Sequence, residues 1–263
     1  MDREAGFLDL GDTRLEYAQI TPRVSRGPTL VLLHEGLGSV STWRDFPELL
    51  SGKTGCRALV YSRAGYGRSD PVTLPRPIDF MHRDAVVLAR LMEALEIEQP
   101  ILVGHSDGGS IALIYAGSSP AREAGGLILE APHVFVEEHG LRSIASMGRE
   151  YERGALRDRL RRHHGANTEI AFRGWHDVWL HPDFRRWNIE SYLKRIAAPI
   201  LLIQGDADEY GTAAQICAIE AQAAGGVETV WLSGCGHAPH REQTAAVLQA
   251  MSAFVSDRVP YRT

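Results

Sequence analysis

The run Gly104-His105-Ser106-Asp107-Gly108-Gly109 follows directly on the apolar stretch Pro100-Ile101-Leu102-Val103, and it constrains the fold of this chain more than any other feature. A strand that feeds a Gly-x-Ser-x-Gly turn and then a helix holds its serine on a sharp, strained corner with the hydroxyl exposed. Strand and helix pass very close there, so any side chain larger than hydrogen at Gly104 or Gly108 would clash. Such a turn points to acyl chemistry at Ser106. The pentapeptide is short enough to recur by chance, so its surroundings must carry the weight.

Those surroundings read as an α/β chain. Short apolar runs at Thr29 to Leu33, Arg57 to Tyr61, Ile101 to Val103, Leu127 to Leu129, Ile200 to Ile203 and Thr229 to Leu232 recur between helical patterns, the signature of a largely parallel sheet with crossover helices. Phe80 to Leu95 puts Ala85, Leu88, Leu91, Met92 and Leu95 on one helical face, and Ala245 to Phe254 behaves likewise. Phe7 to Leu10 and Leu15 to Ile20, joined at Gly11-Asp12, form an antiparallel hairpin ahead of the parallel part. From about His133 to Ile196 the strand rhythm stops, which predicts a helical insertion. Nine acidic residues face ten arginines between Val134 and Glu190, so the basic run Arg157 to Arg162 is read as a solvated helix face rather than a polyanion site.

A chain of 263 residues is long enough for one large core. Its formal net charge of −5 argues against a nucleic-acid partner, since phosphate binding needs a basic face. Cys56, Cys217 and Cys235 lie far apart without CxxC spacing, as expected of reduced thiols in the cytoplasm. Met1-Asp2-Arg3-Glu4 carries no apolar signal core and no apolar run reaches membrane length, so a soluble protein without a membrane partner is expected. His163, His164, His176 and His181 lack zinc-protease spacing, and no dinucleotide or phosphate-loop fingerprint is present. Neither metal nor cofactor is expected.

A serine hydroxyl is a poor nucleophile until a histidine takes its proton, and that histidine needs a carboxylate to orient it. Two carboxylates, Asp206 and Asp208, follow the apolar run Ile200 to Ile203, and His237 follows the next run in a loop marked by Gly234 and Gly236. The order nucleophile, acid, histidine, each beyond the carboxyl end of a strand, suits an open parallel sheet. Asp208 is preferred because Asp206 directly follows Gly205 and is placed to tighten that turn. His240 is read as beginning the last helix rather than as the base. The loop His34-Glu35-Gly36-Leu37-Gly38-Ser39 supplies backbone donors for an oxyanion hole. One donor is assigned to the N–H of Gly36, with Leu37 as the rival one register on, and the other to the N–H of Asp107.

Five stretches in this order, His34 to Gly38, Ser62 to Asp70, Gly104 to Gly109, Gly205 to Asp208 and Gly236-His237, make the chain resemble the α/β-hydrolase superfamily over nearly its whole length. The resemblance implies a mostly parallel eight-stranded sheet with helices on both faces. It also implies a core of residues 1–132 and 197–263, and a helical cap, residues 133–196, inserted after the sixth strand. Ser106 becomes nucleophile, Asp208 acid and His237 base. Two departures stand out: Glu35 replaces the family's usual second glycine, and Asp107 stands where an apolar or amide residue is common. Glu35, Leu37, His133, Trp175 and Trp179 are the candidate substrate-binding residues, with Trp187, Phe172 and His176 completing an aromatic ceiling or packing cap against core.

The expected activity is hydrolysis of a small-molecule carboxylic ester or lactone. The alternatives are carbon-carbon bond hydrolysis of a dienoic diketone and a non-catalytic ligand receptor on the same fold. The carbon-carbon hydrolases of this superfamily often carry tryptophan after the catalytic histidine, where this chain has Ala238, although Arg173 or Arg185 is available as a cation for a substrate carboxylate. Ser106 excludes the carboxylate-nucleophile chemistry of haloalkane dehalogenases. The oligomeric state, a homodimer included, is left open by the sequence.

Overall fold

Apolar residues on both faces of each central strand dictate a sheet covered on both sides. The computed structural model describes residues 1–25, 27–118 and 124–258. Its eight strands are β1 (Asp2–Asp9), β2 (Arg14–Thr21), β3 (Leu30–Leu33), β4 (Ala58–Tyr61), β5 (Ile101–His105), β6 (Gly126–Glu130), β7 (Ile200–Gly205) and β8 (Val227–Leu232). They lie in the order β1-β2-β4-β3-β5-β6-β7-β8. Every pairing from β4 to β8 is parallel, whereas β1 with β2 and β2 with β4 are antiparallel. The sheet is therefore mixed, because the N-terminal hairpin joins the same sheet as its edge.

Ten α-helices connect and flank the strands among the described residues: α1 (Phe46–Thr54), α2 (Phe80–Ala94), α3 (Asp107–Ser118), α4 (Glu138–Glu152), α5 (Ala155–His164), α6 (Thr168–Trp179), α7 (Glu190–Leu193), α8 (Ala213–Gln222), α9 (Pro239–Glu242) and α10 (Thr244–Arg258). Alternate strand residues divide between two cores. Val31, Leu33, Leu102 and Leu129 pack with α2, α3 and α8, while Leu30, Leu32, Val103 and Ile203 pack with α1 and α10. No helix among the described residues is long and apolar enough to cross a membrane.

Between β6 and β7, neighbours in the sheet, the chain makes a long excursion that carries α4 to α7. Its neck is stitched shut by a bridge between Phe135 and Asn188 and by the Ile189 N–H donating to Val134 O at 2.8 Å. Inside it, Phe172 stacks on Tyr151 with ring centroids 3.8 Å apart, and Trp187 stacks on Phe184.

Candidate active site

The site is built on the carboxyl edge of the sheet. Ser106 sits between β5 and α3 with φ of 53°, a left-handed conformation that a serine adopts only when its surroundings force it. Its N–H donates to Glu130 O of β6 at 2.9 Å. A Cβ on Gly104 would stand 2.6 Å from Gly108 O and Gly109 Cα, and one on Gly108 would run into the Leu33 carbonyl. Both glycines are thus required by the close passage of α3 over β3 and β5.

Ser106, His237 and Asp208 come together from three loops. His237 Nε2 is 2.9 Å from Ser106 Oγ, and its Nδ1 lies 2.8 and 2.9 Å from the two oxygens of Asp208. An ionised carboxylate only accepts, so Nδ1 carries the proton and the Nε2 lone pair faces the hydroxyl. Asp208 also accepts from Gln204 Nε2 at 2.8 Å and from the N–H groups of Tyr210 and Gly211. Burial works against its charge, yet His237 and these donors hold the carboxyl well below the usual carboxylate range. The rival acid Asp206 instead accepts from Gly234 N–H at 2.7 Å and ties the two loops together. His240 lies in the short α9 just before α10, and its Nδ1 donates to the buried Glu130 at 2.6 Å.

Gly36, Leu37 and Asp107 line a pocket of about 230 Å³ together with Ser106 and His237. Beneath the loop, Arg63 donates from its backbone N–H to His34 Nε2 at 3.1 Å and from Nη2 to Glu35 O at 2.9 Å. Asp107 opens α3 and is fully buried. Its Oδ1 accepts from Trp179 Nε1 at 3.2 Å, and its Oδ2 faces Arg63 Nη2 at 3.9 Å. Burial pushes its carboxyl up to about 6, against the pull of Arg63 and Trp179.

Glu35, His133, Trp175 and Trp179 line the same pocket. The carboxylate of Glu35 is turned toward His105 and Arg241. The His133 ring lies 5.7 Å from that of His237, and burial and that neighbour push its pKa down to about 4, so it is neutral at physiological pH. Trp175 packs on Gly36 so closely that a Cβ there would enter its ring. Trp175 and Trp179, one turn apart on α6, thus rest on the two residues assigned as oxyanion donors. Phe172, His176 and Trp187 do not line the pocket. Phe172 and His176 stack on each other at 5.0 Å, so these rings hold the excursion together instead.

Sequence reasoning missed His105, Glu137, Ile144, Met147, Tyr210 and Arg241 of the lining. Tyr210 stands two residues beyond Asp208, and its ring lies 4.6 Å from that of His237, a proximity the motif itself signals. Ile144 and Met147 carry no such signal, since apolar residues on a helix read equally well as core. Arg173 pairs with Glu152 and Glu169, and Arg185 with Glu138, so neither arginine lies at the pocket. Among the described residues no group of three or more His, Cys, Asp or Glu side chains is arranged to hold a metal ion.

A strained serine elbow, a hydrogen-bonded histidine and a carboxylate on the edge of such a sheet define a class, and the Alpha/beta hydrolase family matches residues 30–250. The chain belongs to that family. Among curated relatives, the mouse (Mus musculus) protein "Serine hydrolase BPHL" is 42% identical over 102 residues, 38% of this chain and 34% of the relative. The match therefore spans about a third of that relative's length. Two solved structures share the fold: a hydrolase from Pseudomonas aeruginosa PA01 (TM-score 0.75, 21% identity, 96% of this chain and 98% of that one) and the enol-lactonase from Burkholderia xenovorans LB400 (TM-score 0.71, 22% identity, 96% and 100%).

Proposed function

We propose that the protein is a serine hydrolase that cleaves a small-molecule carboxylic ester or lactone through an acyl-enzyme. The observation that carries this reading is the continuous hydrogen-bonded line from Ser106 Oγ through His237 to Asp208, with its serine end open to a pocket. In the proposed reaction His237 Nε2 takes the hydroxyl proton as Oγ attacks the acyl carbon. The N–H groups of Gly36 and Asp107 receive the oxyanion. Collapse of the tetrahedral species breaks the acyl carbon to oxygen bond, and the leaving alkoxide takes the proton from His237. Water then gives its proton to the same nitrogen, attacks the acyl-enzyme, and releases the acid as Ser106 recovers its proton. In this reading residues 133–196 act as a cap, and Leu37, His133, Trp175 and Trp179 shape the acyl and leaving-group subsites.

The charge of the pocket ranks the carbon-carbon hydrolase reading second. Its wall carries Glu35, Glu137, Glu209 and Glu242, while its one guanidinium among the described residues, Arg241, is paired with Glu35. A dienoate would meet like charge there. Asp107→Asn should accordingly relax a preference for neutral over anionic esters; an unchanged preference counts against a role for Asp107 in that choice.

The reading is tested by exposing the protein to a fluorophosphonate, locating the adduct by peptide mass spectrometry and assaying short nitrophenyl esters in parallel. One adduct on Ser106 together with turnover is expected. No adduct and no turnover would favour a ligand receptor built on the same fold.

A further inference from the structure

Glu35 is an anomaly until its contacts are followed. Its backbone carbonyl accepts from His34 Nδ1 at 2.7 Å and from Arg63 Nη2 at 2.9 Å, which pins the loop from below. Its side chain, only 18% exposed, points away from that anchor. Oε2 lies 3.7 Å from His105 Nδ1, and Oε1 lies 3.3 Å from Arg241 Nη2. The space it occupies exists because residue 38 is glycine: a Cβ there would meet Oε2. His105 in turn donates from Nε2 to the backbone carbonyl of His237 at 2.6 Å, since a carbonyl can only accept. Arg241, on α9, also donates to Thr42 O at 3.1 Å.

Each partner adjoins a different part of the site. Glu35 precedes Gly36 in the loop after β3, His105 ends β5 immediately before Ser106, and Arg241 lies on α9 four residues beyond His237. We infer that Glu35 and His105 are positioning residues: one carboxylate ties the oxyanion loop, the nucleophile strand and the histidine segment together, and His105 transmits that tie to His237 through its carbonyl. Burial works against the charge of Glu35, yet His105 and Arg241 hold the carboxyl well below its ordinary range, so the tie is ionic at neutral pH. Burial also works against a charged His105, yet Glu35 and Glu130 raise its pKa; the 3.7 Å contact of Nδ1 with Glu35 is an ion-pair distance rather than a hydrogen bond. Neither side chain needs to touch substrate for this role, although both line the pocket.

The inference rests on Ser106 being the nucleophile, so the test reads Ser106 directly. The rate of fluorophosphonate labelling is measured against reagent concentration for the wild type, E35Q, H105L and H105Q, with adducts located by mass spectrometry. E35Q keeps the volume and removes the charge. H105L removes the donor, and H105Q restores an N–H at the reach of Nε2. A misplacement of about 1 Å can slow a reaction about 100-fold and a smaller one by less, which sets a range of about 10- to 100-fold. E35Q and H105L are expected to lose saturating rate by that factor with the half-saturating concentration unchanged, and H105Q to recover most of it. E35Q at the wild-type rate, a change confined to half-saturation, or H105Q as slow as H105L would each overturn the inference. Should H105L fail to fold, E35Q decides alone. A wild type that acquires no adduct on Ser106 removes the hydrolase reading and this inference with it.

Discussion

The carboxyl edge of the sheet and the excursion between β6 and β7 face the same pocket but hold their side chains in opposite ways. On the sheet each group is overdetermined. Ser106 is fixed by its turn and by Glu130 O, Asp208 by Gln204, Tyr210 and Gly211, and His237 by Asp208 on one side and His105 on the other. The excursion lines the pocket mostly with rings and apolar side chains, and its hydrogen bonds run to the surrounding loops, among them Trp179 Nε1 to Asp107, His164 Nε2 to Leu37 O, Asn167 Nδ2 to Ser69 O and His139 Nε2 to Asp208 O. Several short hydrogen bonds cannot all survive a shift of half an ångström, whereas a ring over a glycine can slide. Under the proposed function, this contrast leaves reaction to the sheet and selection to the excursion.

Four measurements break or sharpen that division. Ser106→Ala should lower kcat/KM for a short nitrophenyl ester by about 10⁴-fold or more while circular dichroism stays native; activity within tenfold of wild type would remove the chemistry from the sheet. Asp208→Asn should cost about 10³- to 10⁴-fold in kcat, because an amide can donate to Nδ1 and so favour the wrong imidazole tautomer. Steady-state kinetics on the same ester decide it. Trp179→Phe should leave kcat for short esters within a few-fold and shift KM for bulky ones by about tenfold. A collapse of kcat on short esters would place the excursion inside the reaction and dissolve the contrast.

Asp107 touches both regions and gives the smallest effect. Its carboxyl is raised by burial to about 6, above the ordinary value near 3.9 that it has in an unfolded chain. Between these two values the folded state keeps a proton that the unfolded state has released, so stability falls as pH rises through the window. Asp107→Asn should therefore raise the unfolding free energy by about 1–2 kcal/mol at pH 8 and by little at pH 4. Urea unfolding at the two pH values checks it, and a gain of equal size at both would mean the carboxyl is not perturbed.

The same division explains what was legible in the sequence. Strand positions follow from apolar runs, and the groups at strand ends follow from turn residues, so Ser106, Asp208 and His237 could be placed together without coordinates. Strands β5 to β8 extend slightly beyond those runs, as where Gly104 and His105 continue pairing with Leu129 and Glu130, whereas β3 and β4 each begin one residue inside theirs. Helices α1 and α8 were not singled out; α8 buries little beyond Gln215, Ile216 and Ile219, too narrow a stripe for a clear period. In the excursion, Trp175 and Trp179 reach the pocket while Phe172, on the same helix, is spent on Tyr151, and periodicity does not separate these fates. The roles of Glu35 and His105 were hidden for another reason: their contacts join residues 35, 105 and 241, a convergence only the tertiary fold creates.

The neck at Phe135 and Asn188 bears on how long the excursion beyond it can be. Because the excursion leaves and rejoins neighbouring strands through a closed stitch, doubling its length would cost the sheet only about 0.6 kcal/mol in closure entropy. Closure thus sets little limit on the length of the excursion, and the limit comes instead from its packing, since Phe172, Trp175 and Phe184 belong to the same buried core as the sheet.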